Sequence, residues 1–147
     1  LTLAGEGAPE LVKEIEATPR TRYLGFVTHE EIMEETARAH VVAALYDPAR
    51  PINRYAASNK LAEAIACGRP VLVNSEMLIT EALRGYDCLV KLPYCDIETK
   101  AADLLRALMG TDGVTYSTKC AQSRAAYEHL YAWDVAQDAM AKAIRGD

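Results

Sequence analysis

Residues 58–71 read Ser58-Asn59-Lys60-Leu61-Ala62-Glu63-Ala64-Ile65-Ala66-Cys67-Gly68-Arg69-Pro70-Val71. Leu61, Ala62, Ile65 and Ala66 recur at helical spacing and form one apolar stripe. Ser58 suits a helix start, because its hydroxyl can accept from a backbone amide of the first turn. Gly68 stops the helix and Pro70 follows, the usual order at a C-terminus. The pattern predicts a helix that leads into a buried strand, Val71–Asn74. Lys60 and Glu63 are three apart and share the face opposite the stripe. Spacing alone leaves two readings open. One is an exposed ion pair worth ~0.3 kcal/mol. In the other, Lys60 beside exposed helix-start amides holds a phosphate, and Glu63 accepts hydrogen bonds from two neighbouring sugar hydroxyls.

Short apolar runs alternate with helical patterns on both sides of this stretch. Leu1–Ala4 reads as a strand ending in Gly5-Glu6-Gly7, and a helix spacing follows over Pro9–Ala17. Arg22–Val27 reads as a second strand, and Thr28 with Glu31 forms a capping box before a helix. Val41–Tyr46 is a third apolar run, and Asp47–Ala57, with two prolines and no period, reads as a loop. Beyond Asn74, Ile79–Arg84 predicts a short helix and Cys88–Leu92 a strand. From Asp96 the pattern is helical, with one helix capped by Asp96, one over about 115–131 and one over about 133–144. Alternating strands and helices predict a mainly parallel sheet with right-handed crossovers and helices on both faces. Ligands bind such sheets at the carboxyl ends of the strands. That rule selects residues 5–9, 25–29 and 47–60. Gly5 and Gly7 either make a plain tight turn or let an anion approach a helix N-terminus. Gly25, Phe26 and Val27 are either a strand–helix connection or a wall for a flat base.

The chain has 147 residues, half of them apolar and a quarter charged, with a net charge of −5. This composition is that of one soluble globular domain, 1–147, with a helical C-terminal part from about residue 96. No apolar run reaches the ~20 residues of a membrane span. The length points away from a complete two-domain enzyme. The acidic balance argues against a nucleic-acid partner. The four cysteines, Cys67, Cys88, Cys95 and Cys120, match no zinc spacing and read as buried reduced thiols of a cytosolic protein. His29–Met33 is not HExxH, so no metal is assigned.

In their order, these pieces resemble the C-terminal, donor-binding half of retaining glycosyltransferases of the GT-B fold, in the large family 4 (group 1). The family's Pro-Asn-Lys-x-x-Glu-Ala-x-Ala-x-Gly-x-Pro-Val helix is similar to residues 58–71, with Ser58 where proline is frequent. Leu1–Gly7, Tyr23–Glu31 and Ala39–Val42 resemble its earlier strand ends. Glu81-Ala82, Gly85–Pro93, Asp96–Glu98 and Trp133-Asp134 echo its later motifs. The resemblance implies a Rossmann-like three-layer α/β/α fold and transfer of a sugar from a nucleoside-diphosphate sugar to an acceptor. It implies no cofactor, since the nucleotide sugar is a substrate. Glu63 matches the second acid of the family's Glu-x7-Glu motif and would bind the ribose hydroxyls. Lys60, with Ser58 and Asn59 at the helix start, would lie near the phosphates. Gly25–Val27 would line the base pocket.

Two departures stand out. The first acid of Glu-x7-Glu, which usually contacts the transferred sugar, falls at Tyr55. The family's usual first strand, with its Gly-Arg turn and downstream Lys-Gly, is not in the chain, and neither is the acceptor-binding N-terminal domain with the catalytic groups. No catalytic residue is therefore assigned. That strand is central in the 3-2-1-4-5-6 order. Without it the sheet must leave a gap, pair Leu1–Ala4 differently, or borrow a strand, so self-association through a sheet edge is expected. The implied location is cytoplasmic, or peripheral at the inner face of the membrane through the absent domain. A non-catalytic nucleotide-sugar-binding or interaction module, and a nucleotide-sugar epimerase-like domain, are the alternatives on the same scaffold. A nicotinamide enzyme fits worst, because position 10 is Glu10 where a third glycine is wanted.

Overall fold

A computed structural model describes residues 1–110 and 113–145. The chain divides into two compact units, Leu1–Arg38 and Ala39–Asp147. In the first, strand β1 (Thr2–Leu3) is followed by helix α1 (Pro9–Ala17), strand β2 (Arg22–Tyr23) and helix α2 (His29–Arg38). β1 and β2 pair in parallel, with Thr2 opposite Arg22 and Leu3 opposite Tyr23. Both strands are shorter than the sequence suggests. The reason is local: Gly5 and Gly25 take φ of +122° and +65° and turn both chains out of the extended conformation. The turns are tied together, since the Gly5 amide donates to the Gly25 carbonyl at 2.7 Å. The capping box forms as expected. The Glu31 amide donates to Thr28 Oγ1 at 3.2 Å, and the Thr28 amide donates to Glu31 Oε2 at 2.7 Å. Those bonds from Thr28, backbone first and hydroxyl second, hold the Glu31 carboxyl below its usual range.

The second unit runs β3 (Val42–Ala44), α3 (Pro51–Tyr55), α4 (Asn59–Ala66), β4 (Val71–Asn74), a 3₁₀ turn (Leu78–Glu81) and β5 (Leu89–Leu92). Helices α5 (Ile97–Gly110), α6 (Val114–Leu130) and α7 (Trp133–Arg145) complete it. The sheet order is β3-β4-β5, all parallel, with Val42 opposite Val71 and Val71 opposite Leu89. Every residue of central β4 is buried, as a strand covered on both faces requires. Parallel strands with helical crossovers make this a Rossmann-like α/β fold. Among the described residues no strand joins the two sheets, so β1 pairs with β2 alone and β3 with β4 alone.

Three local expectations change. The segment Asp47–Ala57 is not all loop: α3 begins at Pro51, whose fixed φ and absent N–H suit a first helical position. The predicted helix over Ile79–Arg84 is the tighter 3₁₀ turn Leu78–Glu81. The cysteines are free but not all buried: Cys88 is enclosed, Cys67 and Cys120 are half-buried, and Cys95 is exposed. Burial pushes the Cys88 thiol up to about 11, which makes it a poor nucleophile.

Helix α4 is fixed at both ends. At its start, Ser58 Oγ accepts from the Leu61 amide at 3.3 Å. At its end, Gly68 takes φ +64°, the Arg69 amide reaches the Ala64 carbonyl at 2.8 Å, and the Gly68 amide reaches Ile65 at 3.0 Å. This pair of bonds is a Schellman motif, and only glycine adopts its left-handed residue without strain. Arg124 of α6 donates to the Ala66 carbonyl at 2.7 Å, placing a cation on the negative end of the helix. Between the ends, Leu61, Ala64 and Ile65 enter a core with Val71, Val73, Met77, Leu83 and Ala126.

Candidate functional site

The carboxyl ends of β3 and β4 meet the start of α4, and here side-chain chemistry gathers. A helix start leaves its first amides unbonded within the helix. Ser58 takes the amide of Leu61, which leaves those of Asn59 and Lys60 directed out of the helix end. Asn59 and Lys60 are exposed, and Glu63, one turn on, is half-buried. The Lys60 ammonium lies 5.4 Å from the centroid of the Tyr46 ring, a cation–π contact. The Tyr46 hydroxyl lies 3.0 Å from Ser58 Oγ. A cation, outward amides and a carboxylate thus occupy one short helix, a set that can engage a phosphate and a pair of hydroxyls.

A second polar group supports this end of the sheet. Asn74, 1% exposed, closes β4. Its Oδ1 accepts from the Tyr46 amide at 3.0 Å, and its Nδ2 donates to Glu76 Oε2 at 3.0 Å. The Glu76 carboxylate also accepts from the Tyr94 amide, at 3.0 Å and 3.3 Å to its two oxygens. The loops after β3, β4 and β5 are therefore laced together by two side chains. The Tyr94 bond first, and the Asn74 bond among the lesser causes, hold the Glu76 carboxyl below its usual range. A depressed folded-state value means that the stabilisation is complete above the unfolded value, near 4.5, and is lost as pH falls through the folded value. Glu76→Gln is expected to cost about 1 kcal/mol at pH 7, a charged-acceptor bond reduced because the carboxylate reaches solvent. Urea unfolding between pH 7 and pH 3 checks it. The gap between wild type and variant should close on the acid side, and a gap independent of pH would refute the assignment.

The other candidates fall as follows. Tyr55, at the end of α3, is 73% exposed and is not a core aromatic. Gly5 and Gly25 meet through their backbone bond, and the Tyr23 hydroxyl donates to the Gly5 carbonyl. A side chain at Gly7 would lie 3.4 Å from Val12 Cγ2, so this glycine allows ordinary close packing of the turn on α1. Phe26 is 83% exposed and Val27 half-buried, so that loop offers a bare aromatic ring. These five residues belong to the first unit, and Tyr55, Ser58, Asn59, Lys60 and Glu63 to the second. A shallow apolar hollow of about 350 Å³ beside β5 is lined by none of the candidates. Two lysines, Lys91 and Lys119, line it, and Lys119 is committed to Asp87 and the Leu89 carbonyl.

Tyr46, Asn74 and Glu76 are not among the candidates read from sequence. Asn74 did carry a signal: one polar residue ends an otherwise apolar strand, at the end where ligands bind. Tyr46 reads in sequence as the tail of an apolar run, and its role depends on partners 12 and 28 residues away.

Comparison with known proteins bears on the family and the fold. The family described as glycosyl transferases group 1 matches residues 1–109, and the chain belongs to that family. No curated protein matches it. Among solved structures, sucrose-phosphate synthase from Thermosynechococcus elongatus superposes with a TM-score of 0.75 at 19% identity. The match covers 99% of this chain and 37% of that one. Anabaena HepE, solved in complex with UDP-glucose, gives 0.69 at 19% identity, covering 99% of this chain and 40% of that one. HepE solved with UDP gives 0.69 at 18% identity, with the same coverage. The fold is thus the Rossmann-like half of a GT-B architecture, and the chain spans about two-fifths of the length of these structures.

Proposed function

We propose that residues 1–147 are the donor-binding half of an enzyme that moves a sugar from a nucleoside-diphosphate sugar to an acceptor with retention of configuration. The observation that carries the reading is the start of α4, where Lys60 and the outward amides of Asn59 and Lys60 stand one turn from Glu63 in a member of the group 1 glycosyltransferases. In this reading Lys60 and the amides take the diphosphate and stabilise the negative charge that develops as it leaves. Glu63 holds the ribose hydroxyls. The exposed Tyr55 replaces the family's first acid as a neighbour of the transferred sugar. The HepE complexes with UDP and UDP-glucose support a nucleotide sugar as the ligand class. No helix among the described residues is long and apolar enough to cross a membrane. We place the protein in the cytoplasm, with any membrane contact made by residues outside this chain.

The test is titration with UDP, GDP and ADP while the amide signals of Gly25–Thr28 and Lys60–Glu63 are followed by NMR. At least one nucleotide is expected to shift the Lys60–Glu63 amides, at the start of α4. Glu63→Ala is expected to weaken that nucleotide about tenfold, the ~1.4 kcal/mol of a charged hydrogen bond. Signals that stay in place for all three nucleotides would sink the reading.

A further inference from the structure

We propose that Tyr46 is the positioning residue for Lys60, so that affinity of this site for a nucleoside diphosphate depends on the Tyr46 ring. The inference rests on the reading that the start of α4 receives the diphosphate. Tyr46 lies two residues beyond β3 and is half-buried. Three parts of it engage three neighbours. Its amide donates to Asn74 Oδ1 at 3.0 Å, which pins the backbone to the end of β4. Its hydroxyl meets the helix-capping Ser58 Oγ at 3.0 Å. Its ring carries Lys60 Nζ at 5.4 Å from the centroid.

An exposed lysine samples many rotamers, and ordering it when a ligand arrives lowers affinity. The ring face removes part of that freedom in advance, because its quadrupole attracts the ammonium. The ammonium has three N–H donors and the ring engages one side of it, so donors remain for phosphate oxygens. An aliphatic residue at position 46 would fill similar space without that field.

The experiment titrates UDP and GDP into wild type, Tyr46→Leu, Tyr46→Phe, Lys60→Ala and the Tyr46→Leu/Lys60→Ala double variant, with a thermal melt of each. Lys60→Ala is expected to weaken binding. Tyr46→Leu should weaken it about three- to fivefold, which is ~0.7–1 kcal/mol at 1.4 kcal/mol per tenfold. The double variant should bind no more weakly than Lys60→Ala, because both changes remove one ordered cation. Tyr46→Phe keeps the ring and should stay within about twofold of wild type. Additive losses, or a Tyr46→Leu that binds like wild type while Lys60→Ala does not, would overturn the positioning role and leave the site standing. A wild type that binds neither nucleotide, or a Lys60→Ala that binds as tightly, would overturn the site and this inference with it. A ligand-free readout covers the case in which Tyr46→Leu does not fold. The Lys60 Cε protons of wild type should lie upfield of those of Lys13 and Lys91 through the ring current, and coincident shifts would refute the contact.

Discussion

Ile65→Ala is expected to lower the free energy of unfolding by about 2–5 kcal/mol. Ile65 is 0% exposed and enters the core from the apolar stripe of α4. Truncation removes three carbons from a site whose neighbours cannot collapse freely. Val71 and Val73 are held in β4, and Ala126 is held in α6. The loss therefore includes a cavity as well as the transfer term. Urea unfolding should show a lower midpoint with unchanged slope. A loss below about 1 kcal/mol would mean that α4 does not pack as described. Lys60→Ala on the same helix is the control, because it removes an exposed side chain with one cation–π contact and should move the midpoint far less.

Asn74→Ala is expected to cost about 2–3 kcal/mol, although a surface asparagine would cost almost nothing. The change strips the Tyr46 amide of its acceptor and takes one donor from the Glu76 carboxylate. A double-mutant cycle with Glu76→Gln should show coupling, since both substitutions break the same bond. Asn74→Asp is the sharper comparison. It keeps the acceptor for Tyr46 but sets a second carboxylate against Glu76. Its deficit should be large at pH 7 and smaller at pH 4, where carboxylates take up protons. Equal deficits at both values would show that the link to Glu76 contributes little.

Features written in consecutive residues were legible before any coordinates. The Thr28–Glu31 box, the Ser58 cap and the Gly68 stop each involve partners within five residues, and each forms. The apolar stripe of α4 was legible for the same reason, since helical period alone places Leu61 and Ile65 inside. Ala62 and Ala66 were expected beside them, but they are only half-buried, and Ala64 takes the enclosed place. Which side of a stripe touches α6 is a tertiary matter that periodicity does not specify. The shortened strands of the first unit were hidden by their apolar composition, because Tyr23–Val27 has the residues of a strand but its partner stops at Leu3. In the site, Lys60 and Glu63 stood out through their spacing. Tyr46 did not, because an aromatic at the end of an apolar run has the signature of core. Its significance arises only when β4 and α4 bring Asn74 and Ser58 to it.

The single-sided pairing of β3 also has a consequence in time. Among the described residues its one partner strand lies 29 residues downstream, from Val42 to Val71. At about 5–20 residues per second of synthesis, the segment waits roughly 1–6 s before that partner emerges. During the wait, α4 is the neighbour that can form first, and Ser58 and the apolar stripe favour it locally. The composition of the segment makes that wait costly. Val41–Tyr46 is six residues with no charge, no proline and no glycine, the pattern that lets bare strands recruit one another, so the nascent run is open to aggregation until α4 and β4 cover it.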